Sequence, residues 1–267
     1  MDTVAAPPTY DDHARATGIV AAGMMAMNVF TYAFTLLAAH LLGPRDFGAV
    51  SALLGILIVV SVPSLALQAT AARRLATCDD AHRAGVTRDV LVSSWKMASA
   101  LGVLLLALTP VIDHLLHLDD PVAAAMVSAS SVPLTLMGAY AGITQGERRW
   151  TAVALLYLSL GAGRLVGGAA AMLINDSLRS TMIGIMAGSV APALLGAYLA
   201  RLPGRVESDH EPLLHELWRN GHTLLALFVF INLDLLLARY LFDGHDAGVY
   251  AAGSIIAKTC LFVPTFV

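Results

Sequence analysis

The sequence predicts an all-α polytopic membrane protein of about eight transmembrane helices, a complete six-helix lobe followed by the first helix pair of a second lobe. Three observations predict it. Of the 267 residues, 57% are hydrophobic and only 13% charged, with a mean hydropathy of +0.72; a soluble domain uses about 25% charged residues to keep its surface in water. The apolar residues gather in runs of about 20, the length a helix needs to cross a bilayer, whereas spanning strands would be about 9–11 residues of alternating polarity. Finally, one helix–turn–helix pattern occurs twice.

Residues 1–16 read as an acidic, Pro-containing tail. It lacks the basic n-region of a cleaved signal, so the first helix, 18–42, is expected to stay on the protein. The further spans are expected at 47–71, 91–112, 121–144, 151–174, 180–200, 222–242 and 247–267. The gaps between them are short and hold most of the charges, prolines and glycines. In domain terms this gives a tail over 1–16, a first lobe over 17–204, a linker over 205–221 and the start of a second lobe over 222–267.

Loop charge sets the expected orientation. The connections after the second, fourth and sixth spans carry Arg73, Arg74, Arg83, Arg88, Arg148, Arg149, Arg201, Arg205 and Arg219. The opposite connections hold Arg45 and Arg179, with Arg239 near a helix end, and the acidic turn from His114 to Asp120. Basic loops stay in the cytoplasm. The chain is therefore expected in the cell membrane with its N-terminus and these loops cytoplasmic.

The repeat compares AHLLGPRDFGAVSALLGILIVVSVPSL, from Ala39, with ARYLFDGHDAGVYAAGSIIAKTCLFVPTF, from Ala238. Each has a helix end, a polar turn, Asp-x-Gly and a small-residue helix ending in Val-Pro. Asp46 and Gly48 match Asp246 and Gly248, and Pro63 matches Pro264, at an offset of about 200 residues. Both copies start on the same side, so the repeat is parallel, a common way of building transporters. On this reading the second lobe begins near Gly221 and the sequence stops inside its second helix. A fragment is expected, with about four more spans in a complete version.

These two hairpins also carry a family resemblance. Leu36 to Ala76 resembles the first hairpin of the polysaccharide-export flippases, the O-antigen and teichoic acid exporter branch of the multidrug/oligosaccharidyl-lipid/polysaccharide exporter superfamily. Asn232 to Pro264 resembles the start of that family's second lobe. Between them the similarity is mainly one of hydropathy. The resemblance implies two lobes around a central cavity, alternating access and a lipid-linked saccharide substrate. The missing remainder of the second lobe is where the chain departs from the family.

Charged side chains deep in a span usually face a cavity or a partner. Arg164 on the fifth span, Asp234 on the seventh and Lys258 on the eighth meet that criterion. Asp234 and Lys258 sit on the two arms of one hairpin at depths differing by roughly 4.5 Å, so an ion pair is expected to be feasible. Given the resemblance, Arg164 and Lys258 are candidates for holding a lipid diphosphate, with Asp234 tuning Lys258. Locking of the hairpin, or bonding of Arg164 to neighbouring carbonyls, is the structural alternative. Asn28, Tyr32 and Thr35 at helical spacing, Gln68 and Asn232 are candidate cavity-lining residues. Snorkelling is the expectation for Arg239. The pairs Gly163/Gly167 and Gly184/Gly188 and the run Gly138, Gly142, Gly146 read as packing faces.

Several function classes are disfavoured by pattern. Cys78 and Cys260 have no metal or redox spacing, and no zinc-type or nucleophile motif occurs. Gly253–Thr259 misses the phosphate-loop pattern because Ala257, not Gly, precedes Lys258. No cofactor, metal or nucleic-acid partner is expected, the expected partners being membrane lipid and a lipid-linked saccharide, with the coupling ion open. The competing readings are a drug/ion antiporter of the same superfamily, a non-transporting scaffold, and a membrane-embedded glycan polymerase or ligase. The last would want a large outer loop, whereas the longest one predicted is about eight residues.

Overall fold

The computed structural model describes residues 10–200 and 213–262, with side chains described for 15–200, 222 and 225–257. These residues form the helices α1 (Tyr10–Leu41), α2 (Pro44–Val60), α3 (Val62–Thr77), α4 (Arg83–Leu115), α5 (Pro121–Gly146), α6 (Trp150–Ile174), α7 (Leu178–Leu199), α8 (Leu213–Leu241) and α9 (Gly244–Phe262), with no strand among them. Among the described residues, six stretches are long and apolar enough to cross a membrane: Arg15–Leu41, Pro44–Thr77, Arg83–Leu115, Pro121–Gly146, Trp150–Ile174 and Leu178–Leu199; the seventh and eighth spans expected in α8 and α9 are not among them.

Two boundaries differ from expectation. Helix α1 already begins at Tyr10, so the end of the expected tail is helical. Helix α8 begins at Leu213, inside the expected linker; the rest of that linker lies outside the described residues, as does Pro264 of the repeat.

Helix starts follow their sequence signals. Pro44 and Pro121 open α2 and α5, where the missing N–H of proline is harmless and its fixed φ suits the helix. Asp120 caps α5 by accepting from the Val122 and Ala123 N–H groups at 3.1 and 3.2 Å. Ser177 does the same for α7 through the Ser180 N–H.

The expected second span is one rod broken at Ser61. Pro63 has no N–H to give to Val59, and the Ser61 hydroxyl donates instead to the Ile58 carbonyl at 2.7 Å. Helices α4, α5 and α7 contain Pro110, Pro133 and Pro192 without interruption. The break lets the two halves take different partners: α2 packs mainly on α9 and α8, whereas α3 packs mainly on α5.

Helix α5 is the centre of the lobe, touching α3, α4 and α7. In its most apolar window 61% of the residues are buried, against 11% for α1, which presents Met25, Val29 and Leu36 outward to lipid. Close backbone approach holds these helices. A Cβ on Gly163, Gly167, Gly184 or Gly188 would collide with the backbone of the facing helix in the α6–α7 pair. Gly138, Gly142 and Gly146 similarly seat α5 on Ser64, Gln68 and Leu75 of α3. The Ser64 hydroxyl closes that contact by donating to the Leu134 carbonyl at 2.9 Å.

The repeat is a structural one at a constant offset of 200 residues. Helices α1 and α8 end at Leu41 and Leu241, and α2 and α9 start at Pro44 and Gly244. The Phe47 N–H donates to the Gly43 carbonyl at 2.9 Å, as the Ala247 N–H does to Asp243. The copies begin their second helix by different chemistry. Pro44 presets α2, whereas the Asp243 carboxylate accepts from the His245 and Asp246 N–H groups at 3.0 and 2.9 Å to start α9. The two copies also touch through their matched glycines: a Cβ on Gly48 would lie 2.9 Å from the Gly248 nitrogen, and one on Gly248 would strike the Pro44 carbonyl.

Gly188→Ala is therefore expected to destabilise the detergent-solubilised chain by about 1–3 kcal/mol in a denaturant titration. Gly253→Ala, whose Cβ would meet nothing within 4 Å, is expected to stay within about 0.5 kcal/mol of the parent.

Candidate functional site

A cavity of about 150 Å³ lies where the six-helix lobe meets the α8–α9 hairpin. Its polar lining is Thr31 and Thr35 of α1, Ser51 of α2, Arg164 of α6 and Asn232 of α8, set among Phe34, Leu54 and Leu235. The helical spacing of α1 turns Thr31, Thr35 and Ala38 to the cavity, and the glycines of α6 bring Arg164 close behind them: Gly161 packs on Met27 and Gly168 on Phe34.

Arg164 is the one charged residue in this lining. It is partly buried and makes no hydrogen bond or ion pair with any described residue. The neighbouring polar groups are largely satisfied within their own helices. The Thr35 hydroxyl donates to the Thr31 carbonyl at 3.0 Å, and the Asn232 amide to the Phe228 carbonyl at 2.9 Å. Arg164 thus lines a small, mostly apolar chamber with no carboxylate among its described lining residues.

The candidate residues separate into groups. Arg164 and Asn232, far apart in sequence, line the same cavity. Asp234 does not join them: its carboxylate accepts from the Ser254 hydroxyl at 2.8 Å and braces α8 against α9. Lys258 falls within α9, but its side chain lies outside the described residues, as therefore does its pairing with Asp234. Asn28 and Tyr32 are exposed on α1 and absent from the lining, where Thr31 takes the place expected for them. Gln68 is also elsewhere. It bonds Tyr157 and Gln145 at 2.8 and 3.0 Å, a neutral cluster joining α3, α5 and α6. Thr31 was legible from its position four residues before Thr35; Ser51 had no such signal.

Toward the acidic turn, lobe and hairpin are joined by a contact that the snorkelling expectation missed. Arg239 does not reach for the interface; it is 3% exposed. Its Nε donates to the Leu116 carbonyl at 2.8 Å, Nη2 to His117 at 3.2 Å and Nη1 to Arg45 at 3.4 Å. All three acceptors belong to the six-helix lobe. His117 and Asp119 hold φ values of 48° and 55°, the left-handed conformation that wraps the α4–α5 turn around the guanidinium. The His117 ring lies over Tyr240, and Arg45 pairs with Asp119 at 2.8 Å above it. A planar fork matches three converging carbonyls in a way a lysine would not.

A six-helix lobe thus meets a repeat of its own first hairpin around a small, partly open cavity, and internal repeats of this kind are common in polytopic membrane proteins. No family model and no curated protein matches the sequence. Among solved structures, the chain is similar to an inward-facing multidrug resistance MATE family transporter of the MOP superfamily, with a TM-score of 0.70 at 16% identity. The match covers 93% of this chain and 62% of that one, so the chain spans less than two-thirds of its neighbour's length. At this identity the likeness establishes the fold.

Arg239→Ala is expected to loosen the seam between lobe and hairpin. With Cys78 and Cys260 replaced by Ser, a cysteine at Ala251, which is 2% exposed, should react with a water-soluble maleimide about tenfold faster or more after the change, the loss of one to two charge-assisted bonds. Arg239→Lys should restore only part of the protection.

Proposed function

We propose that this chain is part of a membrane transporter of the flippase type. It would move lipid-linked oligosaccharide or polysaccharide precursors across the cytoplasmic membrane by alternating access. The observation that carries this reading is Arg164, the sole charge among the described residues that line a chamber between the two parts of the fold, with no hydrogen bond or ion pair to any described residue. An unpaired charge in low dielectric is unfavourable, so a cation kept there suits a site that an anion visits. A diphosphate offers oxygens that a guanidinium fork can engage pairwise. The saccharide would cross as the two lobes rock, with the lipid tail remaining in the bilayer.

The chamber of about 150 Å³ is below the roughly 300–1,000 Å³ of ligand pockets. In this reading it is the closed form of the site, and its walls must part for the headgroup to enter. Lys258, on α9, would be a second cation for the diphosphate, with Asp234 tuning it. The resemblance of the two hairpins to polysaccharide exporters supports the saccharide class.

The second reading, a drug/ion antiporter, is favoured by the solved neighbour, a multidrug transporter. Cationic drugs would meet Arg164 with no carboxylate in the described lining to offset it, which is why the anionic substrate is preferred.

The test is binding of a polyprenyl-diphosphate-linked saccharide to the purified chain. Arg164→Ala should weaken it roughly tenfold to a hundredfold, the range of one hydrogen bond to a charged group, and Arg164→Lys should retain part of it. Equal affinity of the Arg164→Ala and parent chains would sink the reading. Preferential binding of a lipophilic cation would move the assignment to the antiporter class.

A further inference from the structure

At the end of the lobe that carries the basic loops, a separate groove opens beside α1 and α6. It encloses about 630 Å³ and is bounded by Arg15 and Ile19 of α1, by Arg148 and Arg149 of the α5–α6 turn, and by Trp150 and Leu155 of α6.

The three arginines are not equivalent. Arg149 is engaged by the Leu199 carbonyl and by Glu147 at 3.3 Å, so that pair is neutral. Arg148 and Arg15 are exposed and make no hydrogen bond or ion pair through their side chains with any described residue. Arg148 has a φ of 57°, in the left-handed region, at the α5–α6 turn. The described side chains therefore give the mouth of the groove two uncompensated positive charges. Asp11 and Asp12 precede Arg15 on α1, and their side chains lie outside the described residues.

Below the mouth the groove becomes apolar. Ile19 lies one helical turn beyond Arg15, and Leu155, 41% exposed, lies five residues beyond Trp150; both are roughly 6–8 Å deeper along their helices. Trp150 stands between charge and hydrocarbon, the level at which tryptophan concentrates in membrane proteins. The walls face outward: only 11% of the apolar window of α1 and 28% of that of α6 is buried. Charge over an apolar floor, open sideways to the bilayer, matches an amphiphile with an anionic head.

We infer that this groove binds an anionic phospholipid of the leaflet at the basic end, its phosphate between Arg15 and Arg148 and an acyl chain along Ile19 and Leu155. A soluble anion would use the arginines but not the floor; a zwitterionic lipid would use the floor but gain little from the charges. The loop bias assigns this leaflet to the cytoplasmic side, where anionic lipids attract basic residues near the surface. The site shares no residue with the Arg164 chamber and stands independently of the proposed function.

The test uses the full chain in mixed vesicles, with Trp95 and Trp218 replaced by Phe so that Trp150 alone emits. Brominated phosphatidylglycerol should quench Trp150 with a relative binding constant roughly tenfold above that of brominated phosphatidylcholine, in line with two arginines at a membrane surface. Arg15→Gln/Arg148→Asn should abolish the preference, the Asn keeping the left-handed backbone at 148. If the double variant fails to insert, Arg148→Asn alone gives the same comparison. Equal quenching by both lipids, or a preference unchanged in the variants, overturns the inference. Loss of the preference on adding millimolar inorganic phosphate, at an ionic strength held constant with chloride, overturns the lipid in favour of a soluble anion.

Discussion

A helix surrounded by acyl chains gains little by packing leucine against leucine, because lipid is just as apolar, so association depends on how closely backbones approach and on what hydrogen bonds they then make. Three seams of this protein obey that constraint. Gly163 and Gly167 of α6 meet Gly188 and Gly184 of α7, the glycine run of α5 admits α3, and Gly48 meets Gly248 across the repeat. Serine hydroxyls complete such contacts, as Ser64 does to Leu134 and Ser128 to Gly102. The larger apolar side chains that the sequence has in such number are then free to face lipid, as on α1.

The seam between lobe and hairpin adds a second kind of contact to its glycine approach. Leu235 and Ala251 of the hairpin join the buried cluster around Phe34, Leu53 and Met182, and beside the Gly48–Gly248 contact Arg239 binds three carbonyl oxygens of the lobe. Carbonyls can exchange a guanidinium for water without leaving a buried counter-charge behind. A carboxylate in their place would have bound Arg239 more tightly and made separation harder. The break at Ser61 belongs to the same design, since it lets one rod be part of the lobe through α3 and part of the junction through α2.

Electrostatics distinguish the two ends and the middle. The acidic-turn end is a set of compensated pairs, Arg45 with Asp119 and Arg179 with Asp120. Among the described residues, the basic end keeps Arg15 and Arg148 without a partner, and between the two ends lies Arg164, the one charge in the described lining of the chamber.

The helical fold, the positions of the first six spans, the glycine faces and the repeat were legible in the sequence, because each is a local consequence of hydropathy, chain length or residue size. Pattern also singled out Arg164 and Asn232, since polar groups are conspicuous in apolar runs. That these two share a cavity, that Gln68 joins Tyr157 and Gln145 instead, and that Asp234 bonds Ser254 was not legible: helix rotation and neighbour choice depend on contacts between residues up to about two hundred positions apart. Arg239 shows the limit most clearly. By sequence alone, a cation near a helix end belongs at the interface; only the tertiary structure brings the Leu116, His117 and Arg45 carbonyls to it, and three oriented acceptors outweigh the pull of water.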